Sequence, residues 1–231
     1  MLLCYITDRK FFPGSEAEQR HSLLQRIGEA AAAGIDYIHL REVDINPGAL
    51  ESLAREAVQR IRESSNQTRL LIDSRVDVAI AAAADGVSLS ASDINASDAR
   101  AIWAASLRNG NSALAGRSFT VAVSCHSPAE VRAAESHGAD FVVLSPIFEG
   151  ASVSPIGLAS LRQAALLNVP PDRRVEAGDH RVGVPVIASG GVTVQNAPDC
   201  LRAGAAGLAG TRLFQTGDLR RTIHQLRELS R

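Results

Sequence analysis

Four times along this 231-residue chain an Ala-rich segment ends at glycine or at Ala-Asp and runs at once into a short apolar strand: AAGIDYIHL (32–40), AAADGVSLS (82–90), SHGADFVVLS (136–145) and RAGAAGLAG (202–210). Glycine just past a helix end supplies the left-handed backbone that stops the helix, and the β-branched and aromatic residues after it suit a buried strand. The junctions recur about every 50 to 65 residues, twice the length of one strand-plus-helix unit. Between them lie LLCYIT (2–7), RLLID (69–73), FTVAVS (119–124) and VPVIAS (184–189), which brings the count to eight strands. Helix starts are marked by Asn46-Pro47, an N-cap before a first-turn proline, and by Ser127-Pro128-Ala129-Glu130, read as a capping box. Strands that are apolar throughout, alternating with helices, specify a parallel sheet covered on its outer face. The reading is α/β, a single (β/α)8 TIM barrel spanning residues 1–231, with an open doubly wound sheet as the alternative.

Composition narrows the function. Lys plus Arg total 24 against 25 Asp plus Glu, so a net charge of −1 offers no field for a nucleic-acid backbone or an anionic membrane. Cys4, Cys125 and Cys200 are scattered without metal-ligand spacing, which places the chain in a reducing cytoplasm. No apolar run has the length of a membrane span, and the N-terminal run before Asp8, Arg9 and Lys10 is too short for a signal peptide. The polar stretch 168–183 leads from a helix into a strand and is expected as a solvated loop on the barrel's N-terminal face.

In such barrels chemistry sits at the C-terminal strand ends. There Ser189-Gly190-Gly191 follows strand seven and Gly210-Thr211 follows strand eight, two loops whose backbone N–H groups can approach a phosphate closely. Ordinary turn glycines are the alternative. His126 after strand five and His39 at the end of strand two are candidate acid-base groups, since imidazole exchanges protons near neutrality; structural roles at the rim stand against this. Asp73 and Asp93 are candidate Mg²⁺ ligands if a metal is used, or else a cap or an ion pair such as Asp73 with Arg75. Arg41 suits a carboxylate or phosphate, or a rim salt bridge with Glu42. His21, His137, His180 and His224 are expected on helices or in the bottom loop. Lys10 is the single lysine, which leaves Schiff-base chemistry little to use.

YITDR (5–9), HLREVD (39–44), LLIDSRVDVA (70–79), ADGVSLSASD (84–93), VAVSCHSPAEV (121–131), GADFVVLSPIF (138–148) and PVIASGGV (185–192) together resemble the thiamine phosphate synthase and TenI (thiazole tautomerase) family nearly end to end. The family's synthases join a hydroxymethylpyrimidine pyrophosphate to a thiazole phosphate, using a Gln-Leu-Arg-x-Lys run, an Asn-Asp pair, a later Asp and a Thr-x-Thr-Lys loop. Here His39 stands for the Gln, Val43 for the first Lys and Asp73-Ser74 for Asn-Asp; Asp93 is retained, and the loop after strand six, with Ser152 and Val153, lacks its lysine. Departing pyrophosphate needs cations around its developing charge, so these losses count against synthesis, although Arg9 or Arg75 could substitute. TenI-like members are implied to aromatise a thiazole carboxylate phosphate by moving a proton with a histidine, and His126 lies in the matching Ser-x-His-Ser segment. The resemblance therefore implies a TenI-like tautomerase, with a divergent synthase and a non-catalytic precursor-binding barrel as alternatives. The partner is a small phosphorylated heterocycle, held by Arg41, Ser124 and Ser152 with Ser124 or Cys125 shaping the pocket. No cofactor beyond Mg²⁺ is implied, and a homo-oligomer is left open.

Overall fold

The computed structural model describes residues 1–114, 116–148, 154–167 and 183–229. The loop positions 149–153, with Ser152 and Val153, and the polar stretch 168–182, with His180, lie outside the described residues. Eight parallel strands close into one barrel in sequence order: β1 (Leu2–Ile6), β2 (Tyr37–Leu40), β3 (Arg69–Asp73), β4 (Gly86–Ser90), β5 (Thr120–Cys125), β6 (Phe141–Leu144), β7 (Val186–Ala188) and β8 (Gly207–Gly210), with β8 pairing back onto β1. The helices are α1 (Glu16–Ala32), α2 (Pro47–Ser64), α3 (Val76–Ala81), α4 (Ala96–Arg108), α5 (Pro128–Ser136), α6 (Gly157–Leu167), α7 (Ala197–Arg202), α8 (Arg212–Gln215) and α9 (Leu219–Glu228). The open-sheet alternative is thereby excluded.

The four repeated junctions share one geometry. In each, the second residue past the helix has positive φ: Gly34 at 86°, Ala83 at 50°, Gly138 at 81° and Gly204 at 99°. In three of them the aspartate just before the strand accepts a backbone N–H from the preceding strand in the barrel. Asp36 Oδ2 takes Leu3 N at 2.6 Å, Asp85 Oδ2 takes Leu70 N at 2.9 Å and Asp140 Oδ2 takes Val121 N at 2.6 Å. Arg227, Arg117 and Arg100 pair with these carboxylates in turn. The fourth junction has Ala206 there and uses backbone bonds alone, Ala206 N to Val186 O and Leu2 N to Ala206 O.

Helix starts follow their caps. Asn46 Oδ1 accepts from Ala49 N before Pro47. At α5 the expected capping box is altered: Ser127 Oγ accepts from Glu130 N, but the Glu130 carboxylate reaches one residue further back, to the N–H of His126. A full reciprocal box occurs instead at Ser15 and Glu18 on α1.

Two apolar layers result. One lies between sheet and helices and includes Leu3, Tyr5, Ile38, Leu40, Val121 and Cys125. The other fills the barrel: Cys4, Leu71, Ala122, Phe141, Val143, Ile187 and Ala209, with Ile6 and Tyr37 packed on it and the Tyr37 and Phe141 rings 4.7 Å apart. Because alternate strand residues share a face, the inward positions one step above this plug are His39, Asp73, Ser124, Ser145, Ser189 and Thr211. The plug thus carries a polar layer at its C-terminal end.

Close approach leaves no room for a side chain at Gly86, the first residue of β4: a Cβ there would lie 1.9 Å from the Thr120 carbonyl oxygen. Gly86→Ala is expected to cost more than about 2 kcal/mol. Ala83→Gly, which relieves a left-handed alanine, should stabilise by about 0.5–1 kcal/mol. Thermal denaturation of both variants checks the pair, with midpoints moving in opposite directions.

Candidate active site

The mouth of the barrel is braced on one side by a charge network. Glu42, in the loop after β2, is 4% exposed and accepts from Thr7 Oγ1 at 2.7 Å, from Arg9 N at 3.1 Å and from Arg9 Nη1 at 3.1 Å. Burial raises its carboxyl above the usual carboxylate range, and the Thr7 and Arg9 donors partly offset that. Arg9 also grips Asp44, and Lys10 Nζ lies 2.7 Å from Asp44 Oδ2. Hydrogen bonds from Arg9 and Lys10 hold the Asp44 carboxyl well below its ordinary value. The Arg41–Glu42 rim bridge considered from sequence does not form, because Glu42 belongs to Arg9, while the Arg41 N–H donates to Thr7 Oγ1 at 3.0 Å. Arg75 likewise pairs with Asp77 at 2.6 Å and not with Asp73. Arg9 is therefore held by the buried Glu42 together with Asp44, while Lys10 and Arg75 sit in exposed pairs with Asp44 and Asp77. Arg41 and Arg212 are exposed at the mouth and have no carboxylate partner among the described residues.

Deeper in the mouth His39 Nε2 lies 2.7 Å from Asp73 Oδ1, a contact between adjacent strands. Asp93 is bound by Ser74 Oγ at 2.5 Å and by Ser90 N at 2.7 Å. Each candidate metal carboxylate is thus held by a separate set of protein donors, and among the described residues no three His, Cys, Asp or Glu side chains gather around a metal-sized site. Asp73 serves as the acceptor for His39 and Asp93 as the acceptor for Ser74 and Ser90, and no step below runs through a metal. Ser88, in register with Asp73, is 1% exposed, and its hydroxyl has no hydrogen-bond partner among the described residues.

His126 stands exposed at the rim after β5, its Nδ1 2.8 Å from the carbonyl oxygen of Ser145. A carbonyl only accepts, so Nδ1 carries the hydrogen, and a neutral ring presents its lone pair at Nε2. Ser124 lies on the inner face, in register with Ser90 and Val143. Cys125 does not shape the pocket: it is buried on the helix side of the sheet, where burial pushes its thiol up to about 12. His21 and His224 sit exposed on α1 and α9, and His137 caps the end of α5.

Across the mouth Gly190 and Gly191 both take positive φ, 83° and 68°, a conformation glycine adopts without strain. The Gly190 and Gly191 carbonyls are taken by Phe148 N at 3.0 Å and Asn196 Nδ2 at 2.9 Å. The N–H groups of Gly190, Gly191 and Thr211 donate to no acceptor among the described residues. Paired β7 and β8 thus end in two loops with unpaired backbone donors beside each other, a shape and polarity suited to an oxyanion.

An eight-stranded β/α barrel with its proton-exchanging side chains and free backbone donors gathered at the C-terminal strand ends has the architecture of a barrel enzyme. This chain belongs to the thiamine monophosphate synthase family, whose profile matches residues 3–214. It is 32% identical over 212 residues to the putative thiamine-phosphate synthase 2 of Aquifex aeolicus, covering 90% of this chain and 95% of that one. It is 34% identical over 211 residues to the putative thiamine-phosphate synthase of Geobacter sulfurreducens, covering 90% and 83%. Among solved structures it is similar to a thiamine phosphate pyrophosphorylase from Pyrococcus furiosus, with a TM-score of 0.73 and 26% identity over 99% of this chain and 94% of that one. It is therefore a barrel of a thiamine-biosynthesis family. Among the described residues no helix is long and apolar enough to cross a membrane.

The Glu42 brace is testable. Glu42→Ala leaves buried Arg9 with Asp44 and the more distant, exposed Glu16 as its partners, and about 3 kcal/mol of stability should be lost, or roughly 6–12 °C in the unfolding midpoint. Calorimetry of the variant measures it.

Proposed function

We propose that this chain binds a phosphorylated thiazole-type heterocycle, with its phosphate at Gly190, Gly191 and Thr211, and moves a proton on the anchored ring. The observation that carries this reading is His126: its tautomer is set by the Ser145 carbonyl, so that Nε2 is available as a base. A ring held by its phosphate needs only correctly placed acid-base groups, because anchoring has already met the orientation cost. Arg41 is free to meet a further anionic group, such as a ring carboxylate.

A second reading, thiamine-phosphate synthesis, is favoured by the names of the relatives, which are synthases and not isomerases. Against it stands the charge inventory of this mouth. Loss of pyrophosphate calls for cations around the leaving group; Val43 occupies one family lysine position, and Arg9, Lys10 and Arg75 are held by carboxylates. Arg41 and Arg212 are what this side of the molecule offers in their place. A non-catalytic binder is separated from both by the absence of any turnover.

Incubation with the pyrimidine pyrophosphate and thiazole phosphate, followed by product identification, decides between the readings. The expected result is negligible pyrophosphate release beside measurable tautomerisation of the thiazole carboxylate phosphate, and brisk pyrophosphate release would install the synthase reading instead. His126→Asn should lower tautomerisation about 10²- to 10⁴-fold with substrate affinity nearly unchanged. Gly190→Asp places a carboxylate and a side chain at a positive-φ position in the anion cradle. It should abolish binding of thiazole phosphate, measured by titration calorimetry, while the circular dichroism of the barrel stays that of the parent.

A further inference from the structure

A shift of unsaturation within a ring needs two proton positions, one where a C–H bond breaks and one where a new bond to hydrogen forms. His126 supplies one. The contact between His39 and Asp73 has the chemistry for the other. The Asp73 carboxylate accepts, so His39 donates from Nε2 and its Nδ1 is left without a protein partner among the described residues. The His39 side chain is 4% exposed and that of Asp73 23%, and both lie on the inward face just above the plug, two residues beyond Tyr37 and Leu71.

The contact at 2.7 Å makes the two residues a pair, in which the carboxylate orients the ring and balances its charge when it holds a proton.

We propose that His39 and Asp73 form a second proton-transfer site facing the anchored ring, with His39 as the group that meets substrate and Asp73 as its positioning residue. The proposal rests on the proton-transfer reading of the site. The atoms balance without an oxidant or a co-reactant. His126 Nε2 takes a proton from the heterocycle, the C–H electron pair shifts through the ring, and the atom at the far end takes a proton from Nδ1 of protonated His39. His126 ends protonated and His39 neutral, and exchange with solvent restores both. In this assignment Asp73 orients an imidazole, where the sequence alone had offered it as a metal ligand.

The test combines a spectroscopic and a kinetic measurement. Nitrogen-15 NMR of the ligand-free protein should find neutral His39 in its Nε2–H form, and Asp73→Asn, whose amide can donate to Nε2, should convert it to Nδ1–H. With the thiazole carboxylate phosphate as substrate, Asp73→Asn should lower kcat about 10²-fold or more while KM stays within about threefold. His39→Gln combined with Asp73→Asn should be no slower than His39→Gln alone, because two residues acting as one unit are not additive. The proposal is overturned if the parent shows His39 as Nδ1–H, if Asp73→Asn keeps kcat within about twofold, or if the two substitutions multiply independently. A parent protein that does not turn over the substrate at all overturns the proton-transfer reading itself, whereas parent turnover that survives Asp73→Asn overturns only the role of the pair.

Discussion

The barrel depends on how each parallel strand is started. A strand that begins straight out of a helix leaves its neighbour's first N–H groups without a partner at the bottom of the sheet, and an unpaired buried donor costs about as much as a lost hydrogen bond. Asp36, Asp85 and Asp140 remove that cost at alternate junctions, each carboxylate accepting a backbone N–H across the gap and each tied to an arginine. The left-handed residue two positions earlier turns the chain so that the aspartate arrives there. Register is set at the bottom, and every inward residue above inherits it.

That inheritance produces the site. With Leu71, Ala122, Val143, Ile187 and Ala209 in the plug, the next inward position on each strand is Asp73, Ser124, Ser145, Ser189 or Thr211. A slip of one residue would send these groups into the helix layer and bring Ile72, Val123 and Leu144 into the mouth. Cys125 shows the rule from the other side: it neighbours two mouth residues in sequence, yet faces the helices. Charge is sorted at the same level, since Glu42 and Asp44 consume Arg9 and Lys10 and leave a mouth in which imidazoles and backbone donors outnumber free cations.

Much of this could be read from residues alone. The junction motif predicted four helix ends and the strands that follow them, Asn46-Pro47 predicted the start of α2, and Ser-Gly-Gly and Gly-Thr were placed at the ends of two adjacent strands. These are local signals, in which one stretch of chain determines its own conformation. The altered cap at α5 was not readable, because Glu130 chooses between two N–H groups one residue apart and the backbone angle at Ser127 decides which is nearer.

The sequence by itself determined the order of elements, the parallel sheet and the set of polar residues available at the strand ends, since helix stops, caps and apolar strands are written in neighbouring residues. Only the tertiary structure decided that the sheet closes, β8 pairing back onto β1, and which of those residues act together. Arg9 meets Glu42 and Asp44 some 33 to 35 positions away, and His39 meets Asp73 34 positions away. Arg9 and Arg41, or Asp73 and Asp93, are equivalent candidates on paper because their partners lie on other strands. Barrel closure brings adjacent strands to hydrogen-bonding distance, and that distance turns one arginine into a brace, leaves the other free, and makes an imidazole and a carboxylate a pair.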